Sequence, residues 1–418
     1  MRTIKPLHQI DWILVILYYS LVFFGWVNIY AADYTEAQEF SLNLSNSYAK
    51  QLFFIGVCTV LAFVIMLVEP KVFSAFSFVL YGVSIILLIA VVFIGTKISG
   101  ARSWFHIGGF ALQPSELAKF STALALAAYL NRLNIDLTKT KTIITSAFIV
   151  LFPAALIMLQ PDAGSALVFT SFVLVLFREG LTGNIFVIGI TVGILFITTL
   201  VFGQIIILGV LAGIALLLIL FLRKNKKAIL QVLSVLILAG GLVYSVDYAF
   251  NNILEPHQRI RISILLGTES DPSGAGYNVN QSKIAIGSGG LNGKGFLEGT
   301  QTQFRFVPEQ STDFIFCTVG EEWGYLGTAF VILLFLAMII RIVLLAEKQR
   351  SRFSRIYGYG VAGIVFFHFT VNIAMTIGLA PVIGIPLPFF SYGGSSLLGF
   401  TILLFIFIKQ HAHRKELI

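Results

Sequence analysis

The chain has 418 residues, of which 57% are hydrophobic and only 11% are charged. Soluble domains contain about 25% charged residues, so this composition excludes a water-soluble enzyme, a disordered chain and a nucleic-acid-binding module. The net charge of +8 is typical of basic loops that face anionic lipid. The two cysteines, Cys58 and Cys317, lie in separate apolar runs, which predicts neither a disulfide framework nor a cysteine metal cluster. We therefore expect a polytopic membrane protein.

Twelve apolar segments are candidate transmembrane helices, since one span needs about 20 mostly apolar residues. They lie near residues 12–31, 50–69, 75–95, 114–131, 143–160, 164–178, 182–202, 205–222, 227–248, 314–340, 357–378 and 388–408. The first segment is too long for the core of a signal peptide, so we expect it to be retained. The predicted fold class is an all-α polytopic membrane protein, a bundle of about 12 transmembrane helices forming a single membrane domain over residues 1–418.

The positions of lysine and arginine predict the orientation of these spans. With a cytoplasmic N-terminus, most basic residues fall in cytoplasmic segments, including the clusters at 223–227 and 341–355. A topology shifted by one span would place both clusters outside. The pattern predicts a multi-pass protein with both termini in the cytoplasm.

An ionisable pair begins the predicted fourth span. The preceding loop contains Arg102 and Trp104, and the span opens with Pro114, followed by Glu116 and Lys119. Proline suits the first turn of a helix, and residues three apart share a helix face. Ionisable groups at membrane depth are costly and are functional-site candidates by default. The alternatives are a buried structural ion pair and a pair that positions a third charged group.

Other polar residues lie at the ends of predicted spans. Asp162 and Asp313 are expected to cap the sixth and tenth helices. Pro381, Pro386 and Pro388, with Asn372 and the glycine- and serine-rich residues 391–396, are expected to interrupt the last two spans. Such interruptions are tolerated where they line a cavity or pack on protein. The lone histidines His106 and His257 lack partners at metal-binding spacing, so no metal site is predicted.

A large extracytoplasmic loop is predicted at residues 249–312, and it is rich in glycine and in cations. Glycine lets backbone amides approach a ligand, and neighbouring cations favour an anionic one. A flexible loop is the alternative, although the Lys, Gln, Tyr and Arg between the glycines are not linker composition. The stretch is not a Walker A motif, because Ser288 and Gly295 occupy positions that require Gly and Ser or Thr. Nucleotide hydrolysis is therefore excluded.

A carboxylate in this loop suits glycosyl transfer from a lipid pyrophosphate. A general base would take the proton of a sugar hydroxyl while cations hold the pyrophosphate leaving group. Asp271 is the best-placed candidate, because it precedes Pro272 on a loop that can fold over the mouth of the bundle.

Ordered motifs from about Trp104 to the C-terminus resemble the SEDS family (shape, elongation, division and sporulation proteins), and its RodA form more than its FtsW form. They are Arg102-x-Trp104, Gln113-Pro-Ser-Glu116-x-x-Lys119, Gln160-Pro-Asp162-x-Gly164, Asp271-Pro-Ser-Gly-Ala-Gly-Tyr277, Gly287-Ser-Gly-Gly290, Gly299-Thr-Gln301, Glu321-Glu322 and Pro386-x-Pro388 with Ser391-Tyr-Gly-Gly-Ser395. The family usually has ten spans, with its large loop after the seventh. Here residues 205–248 are expected to add a helical pair of unknown packing, which leaves the large loop outside.

The resemblance implies polymerisation of lipid II into peptidoglycan strands at the outer face of the cytoplasmic (inner) membrane, during cell elongation and shape control. Asp271 would deprotonate the acceptor 4-hydroxyl for an inverting attack, and undecaprenyl pyrophosphate would leave. Six other residues are candidates for substrate binding or charge stabilisation, with Glu116 orienting the lysine beside it. These six are Arg102, Trp104, Lys119, Lys283, Lys294 and Arg305.

The implied partners are the nascent glycan strand, a class B penicillin-binding protein that supplies transpeptidation, and other elongation-machinery membrane proteins, without nucleic acid. No defined cofactor is implied, and a divalent cation that bridges the pyrophosphate stays open. The main alternative is a lipid II flippase or another transporter of lipid-linked precursors, which should place essential polar residues near the midplane. A scaffold for wall-synthesis proteins would tolerate loss of Asp271. A division or sporulation paralogue also stays open.

Overall fold

The computed structural model describes residues 9–34, 43–98, 101–107, 110–133, 135–222, 224–254, 259–260, 262–263, 266 and 275–414. Asp271 and His257 lie outside these residues. The chain divides into two compact units, one formed by Met1–Leu181 with Asn278–Ile418 and the other by Thr182–Tyr277.

Helices dominate the described part of the first unit. They are α1 (Trp12–Asp33), α2 (Ser47–Leu67), α3 (Pro70–Ala75), α4 (Ser77–Ile94), α5 (Pro114–Leu130), α6 (Thr140–Met158), α7 (Ala163–Leu167) and α8 (Phe172–Arg178). A 3₁₀ turn, Val168–Ser171, joins α7 to α8. After the second unit come α12 (Ala275–Ser288, which begins in that unit), α13 (Thr300–Gln303), α14 (Ile315–Glu347), α15 (Arg352–Thr376) and α16 (Gly394–Ala412).

The second unit contains three long apolar helices, α9 (Asn184–Phe202), α10 (Gln204–Phe221) and α11 (Lys226–Tyr248), and a π-helical turn, Ala249–Ile253. A single residue, Gly203, joins α9 to α10 with a φ of +83°, a conformation that glycine adopts without steric cost. Asn225 caps α11, since its side chain accepts a hydrogen bond from the Ala228 amide at 3.2 Å.

Ten of the described helices are long and apolar enough to cross a membrane. Two further helical segments, α5 and the broken α7–α8 segment, coincide with the remaining predicted spans. The prediction of a helical polytopic membrane protein is therefore confirmed. The predicted start of the last span is wrong, because the helix begins at Gly394 and not near residue 388. Asn372 lies inside α15, so it does not interrupt that span as predicted.

Helix α5 forms the centre of the first unit. Almost all of its residues are buried, and it packs against α4, α6, α15 and α16. Its alanine-rich sequence lets neighbouring helices approach closely, as is typical of helix contacts in membranes. A smaller apolar cluster lies between α12 and the start of α14, formed by Ala285, Val307, Phe314 and Cys317.

Among the described residues, a three-stranded antiparallel sheet departs from the all-α prediction. Its strands are β1 (Thr96–Ile98), β2 (Ala101–Ile107) and β3 (Phe110–Leu112), in that order. The sheet lies between α4 and α5, where the sequence predicted only a loop. At one end of the first unit, α1 ends and α5 and α16 begin. We call this end of the unit, which includes the sheet, the "sheet end".

The opposite end of the first unit is held by ion pairs. Arg341 lies 2.5 Å from Asp11, and Glu179 contacts both Arg352 and Arg355 at 3.2 and 3.0 Å. Glu179 has only 3% of its side chain exposed. The start of α1 and the turn after α8 are therefore fastened to α14 and α15.

Candidate active site

The predicted pair at the start of α5 is a buried ion pair. Lys119 Nζ lies 2.7 Å from Glu116 Oε2, and each side chain is 3% exposed. The same Nζ lies 4.5 Å from the centre of the Phe400 ring on α16. Gly399 leaves room for this arrangement, because a Cβ there would lie 3.1 Å from the Cβ of Glu116. The prediction that both residues share one helix face is confirmed.

His368 on α15 completes this cluster, and the sequence analysis missed it. Its Nε2 lies 3.0 Å from Lys119 Nζ, and its Nδ1 lies 3.1 Å from the carbonyl oxygen of Pro386. The signal was present in the sequence, because His368 is an ionisable residue within the predicted eleventh span. An ionisable group at membrane depth is a functional-site candidate, and this criterion, which selected Glu116, also applies to His368.

Three of the sequence motifs meet beside this cluster. Gln113 Nε2 donates to Asp162 Oδ2 at 3.0 Å, and the Gln113 amide donates to Ser395 Oγ at 2.9 Å. Asp162 Oδ1 accepts from the Ser165 amide at 3.0 Å, so its predicted role as an N-cap is confirmed. These bonds join the starts of α5, α7 and α16.

The segment between α15 and α16 packs on protein, which is one of the two settings expected for its prolines. At Gly164 a Cβ would lie 2.2 Å from the carbonyl oxygen of Ile383, so only glycine allows this approach. Asn372 Nδ2 donates to the carbonyl oxygens of Ile385 and Asp313 at 2.7 and 2.8 Å. Asp313 is not the N-cap of α14 as predicted, because Phe314 occupies that position.

The glycine-rich residues 287–299 pack against the beginning of α14. The Lys294 amide donates to the carbonyl oxygen of Glu321 at 3.0 Å. A Cβ at Gly293 would lie 2.1 Å from the carbonyl oxygen of Glu322. Helix α14 is kinked at Gly324, whose φ is +63°. At Gly293 the close approach that the structure shows is to α14, and the approach of the glycines to a ligand stays a prediction.

One buried carboxylate fastens this segment. Glu321 is fully buried and lies 2.6 Å from Lys294 Nζ, of which 27% of the side chain is exposed. The amides of Gln301 and Thr302 donate to the carboxylate at 2.9 and 2.8 Å, and the Thr302 hydroxyl lies at 2.7 Å. The charge of Lys294 is thus already paired within the protein.

Three predicted cationic residues present exposed side chains, Arg102 on β2, Lys283 on α12 and Arg305 after α13. Arg305 Nη2 donates to the carbonyl oxygen of Asp33 at the end of α1, at 3.3 Å. Trp104 on β2 is half-buried, and its carbonyl oxygen accepts from Thr96 Oγ1 at 3.1 Å. Within the described ranges, no group of three or more His, Cys, Asp and Glu side chains could hold a metal ion.

The long apolar helices, with polar residues gathered at the sheet end, define the class of the chain as a helical polytopic membrane protein. The sequence model of the FtsW, RodA and SpoVE family, described as a cell cycle protein family, matches residues 11–208 and 199–416. The chain belongs to this family. This agrees with the resemblance in the sequence motifs.

Named relatives and solved structures are similar over most of the chain. The peptidoglycan glycosyltransferase MrdB of Escherichia coli K12 is 35% identical over 87% of this chain and 85% of its own length. The peptidoglycan glycosyltransferase RodA of Treponema pallidum is 32% identical, over 94% and 95%. A chain from a peptidoglycan synthase complex superposes with a TM-score of 0.70 and 29% identity, over 97% and 98%. The rod shape determining protein RodA of Thermus thermophilus gives 0.62 and 25%, over 97% of each.

Proposed function

We propose that this protein is a peptidoglycan glycosyltransferase that polymerises lipid II into glycan strands during cell elongation. The observation that carries the proposal is the similarity to MrdB, which extends over 85% of a protein named for this activity. The arrangement of the site supports it as well. The ion pair of Glu116 and Lys119 occupies the first two turns of α5, whereas a transporter would place such residues near the midplane.

Asp271 acts as the general base of the proposed reaction. Its carboxylate takes the proton of the 4-hydroxyl of the acceptor GlcNAc as that oxygen bonds to the anomeric carbon of the donor MurNAc. The bond from this carbon to the pyrophosphate oxygen breaks, and undecaprenyl pyrophosphate leaves with the electron pair. Attack from the opposite face converts an α linkage into a β linkage. No second carboxylic acid is needed, because pyrophosphate leaves without a proton and needs only charge stabilisation.

The burial of the candidate cations supports a division of their roles. Arg102, Lys283 and Arg305 are exposed, so their side chains are accessible to the pyrophosphate. Lys119 is 3% exposed, and Lys294 is paired with Glu321. We assign stabilisation of the leaving group to the three exposed cations, and assign positions in the supporting framework to Lys119 and Lys294. Trp104 lies on the same strand as Arg102 and would support it.

The proposed location is the cytoplasmic membrane, with the sheet end outside and both termini in the cytoplasm. Arg341, Arg352 and Arg355 lie at the opposite end of the first unit, as the excess of basic residues on the cytoplasmic side requires. Residues 1–418 would form one membrane domain, with 249–312 as the extracytoplasmic catalytic segment. Helices α10 and α11 would be the inserted pair at 205–248.

A class B penicillin-binding protein is the proposed partner, and would crosslink the strands that this chain produces. Support comes from the similar chain in a peptidoglycan synthase complex, whose description couples polymerization to crosslinking. The nascent glycan strand and other membrane proteins of the elongation machinery would also contact this protein.

The experiment that tests this proposal separates polymerisation from transport. Purified protein, with and without its penicillin-binding partner, is reconstituted in liposomes with labelled lipid II, and both glycan strands and lipid II translocation are measured. We expect strands of several disaccharides without translocation. Translocation without polymer would identify a flippase and contradict the proposal.

A further inference from the structure

The buried His368 makes two polar contacts whose donors and acceptors can be assigned. His368 is only 2% exposed. Nδ1 lies 3.1 Å from the Pro386 carbonyl oxygen, which can only accept, so Nδ1 carries the proton of that bond. Nε2 lies 3.0 Å from the Lys119 ammonium, which can only donate, so Nε2 is the acceptor. These contacts require a neutral imidazole in one tautomer.

We propose that His368 is a positioning residue for Lys119. As the neutral tautomer protonated on Nδ1, it directs the ammonium toward Glu116 and links the α5 ion pair to the segment between α15 and α16. The catalytic part of this proposal rests on the proposed glycosyltransferase function, whereas the assignment of the tautomer does not.

The surroundings of Lys119 show why a positioning partner is needed. The ammonium is 3% exposed and lies against the Phe400 ring. A buried ammonium is costly unless hydrogen-bond acceptors surround it, and the structure provides the Glu116 carboxylate and His368 Nε2. Without His368 the ammonium loses one of these two acceptors, and the ion pair is free to turn from its present direction.

His368 also joins the pair to the rest of the sheet end. The Pro386 carbonyl that it holds is next to Ile385, whose carbonyl oxygen accepts from Asn372. At the start of α5, the Gln113 amide is bonded to Ser395 on α16. Loss of His368 would therefore disturb both the direction of Lys119 and the packing of the segment that contains Pro386.

His411 provides a matched control for the general effect of removing a buried histidine. It is 3% exposed, and its Nδ1 lies 2.8 Å from Gln349 Nε2. It lies near the end of α16, far along that helix from Phe400, and no role in the reaction is assigned to it. Substitution of either histidine by leucine removes a buried hydrogen-bonding ring, but only one substitution acts on Lys119.

The first arm of the test measures initial rates of lipid II polymerisation for His368→Leu, His368→Gln and His411→Leu. We expect His368→Leu to be slower by about tenfold or more, since hydrogen bonds to charged groups are the stronger class. His368→Gln retains an amide donor and an acceptor and should recover most of the rate. His411→Leu should lower the melting temperature without comparable loss of rate. An equal loss in His411→Leu, or no loss in His368→Leu, would overturn the proposal.

The second arm needs no stable leucine variant and no activity. Wild-type protein labelled with ¹⁵N-histidine is compared by NMR with His368→Gln, so that the ring signals of His368 are identified by difference. We expect a protonated Nδ1 and an unprotonated Nε2 at neutral pH. A proton on Nε2 would overturn the assignment. If wild type produced no glycan, the proposed function would fail while this arm still decided the tautomer.

Discussion

The ammonium of Lys294 lies 2.6 Å from the fully buried carboxylate of Glu321, and this pair fastens the glycine-rich segment to the beginning of α14. The contact joins residues 27 positions apart and brings Thr300 within 2.8 Å of the same ammonium. The segment that follows Asp271 in the chain is thereby anchored to a membrane-spanning helix. The stability of this segment should therefore depend on the pair of Lys294 and Glu321.

Lys294→Met should destabilise the protein by about 2–3 kcal/mol. The change leaves a buried carboxylate without its cation, and breaking a fully buried pair costs about 3–5 kcal/mol; the partial exposure of Lys294 reduces this. The measurement is thermal unfolding of the detergent-solubilised variant. Lys294→Met with Glu321→Gln should recover part of the loss, and Lys283→Met, at an exposed position, should show almost none. Equal effects of the two lysine variants would show that the pair of Lys294 and Glu321 does not stabilise the protein.

Gly293→Ala should be far more destabilising than Gly290→Ala. Both glycines have a positive φ, +83° and +57°, so both substitutions cost about 1–2 kcal/mol of backbone strain. Only at Gly293 would the new Cβ meet protein, 2.1 Å from the Glu322 carbonyl oxygen, whereas the space at Gly290 is open. Comparing the two melting temperatures isolates the close approach. Similar melting temperatures would mean that the segment does not dock on α14 as described.

Lys283→Gln should lower the rate of lipid II polymerisation by about tenfold while leaving the melting temperature unchanged. An exposed cation contributes little to folding, but it stabilises the charge that develops on the pyrophosphate in the proposed transition state. Lys348→Gln, also exposed but at the opposite end of the first unit, is the control and should keep the wild-type rate. A loss that is equal in both variants would remove Lys283 from the reaction.

Asp11 should make stability depend on pH in the acid range. Partial burial raises the pKa of this carboxyl, but hydrogen bonds from Arg341 and from the Leu14 amide outweigh it, so the pKa lies below its ordinary value of 3.8. Because the folded pKa is the lower one, the stabilisation is present above the ordinary pKa and is lost as the pH falls through the folded pKa.

The check on Asp11 compares melting temperatures of wild type and Asp11→Asn. At pH 7 the variant should melt at a lower temperature than wild type, and the difference should shrink below about pH 4. A difference that is constant from pH 7 to pH 3 would show that the charge of Asp11 does not contribute.

The apolar spans were predictable because their length and hydropathy depend on local composition. The pairing of Glu116 with Lys119 was also predictable, since the helix period places both on one face. The sheet at Ala101–Ile107 was missed because its partner strands have only three residues each and lie beside glycines. Short strands carry too few residues for an alternating pattern to be recognised.

The contacts of the site could not be read from the sequence, because they join residues far apart in the chain. His368 meets Lys119 across 249 positions, and Lys294 meets Glu321 across 27. In the sequence, Lys294 is one of several cations in the large loop predicted at residues 249–312, whose composition suits an anionic ligand. The structure shows that glycine is needed there for the packing of two backbones, since a Cβ at Gly293 would lie 2.1 Å from the Glu322 carbonyl oxygen.

The activity of Asp271→Asn tests most directly whether this carboxylate is the general base of the proposed reaction. The purified variant, with its penicillin-binding partner, is supplied with labelled lipid II, and its folding is checked by melting temperature and elution profile. Glu269→Gln, two positions earlier in the same segment, serves as the control. Glycan strands should disappear in Asp271→Asn while the protein stays folded, and the control should remain active. Polymer formed at the wild-type rate by Asp271→Asn would show that this carboxylate is not the general base.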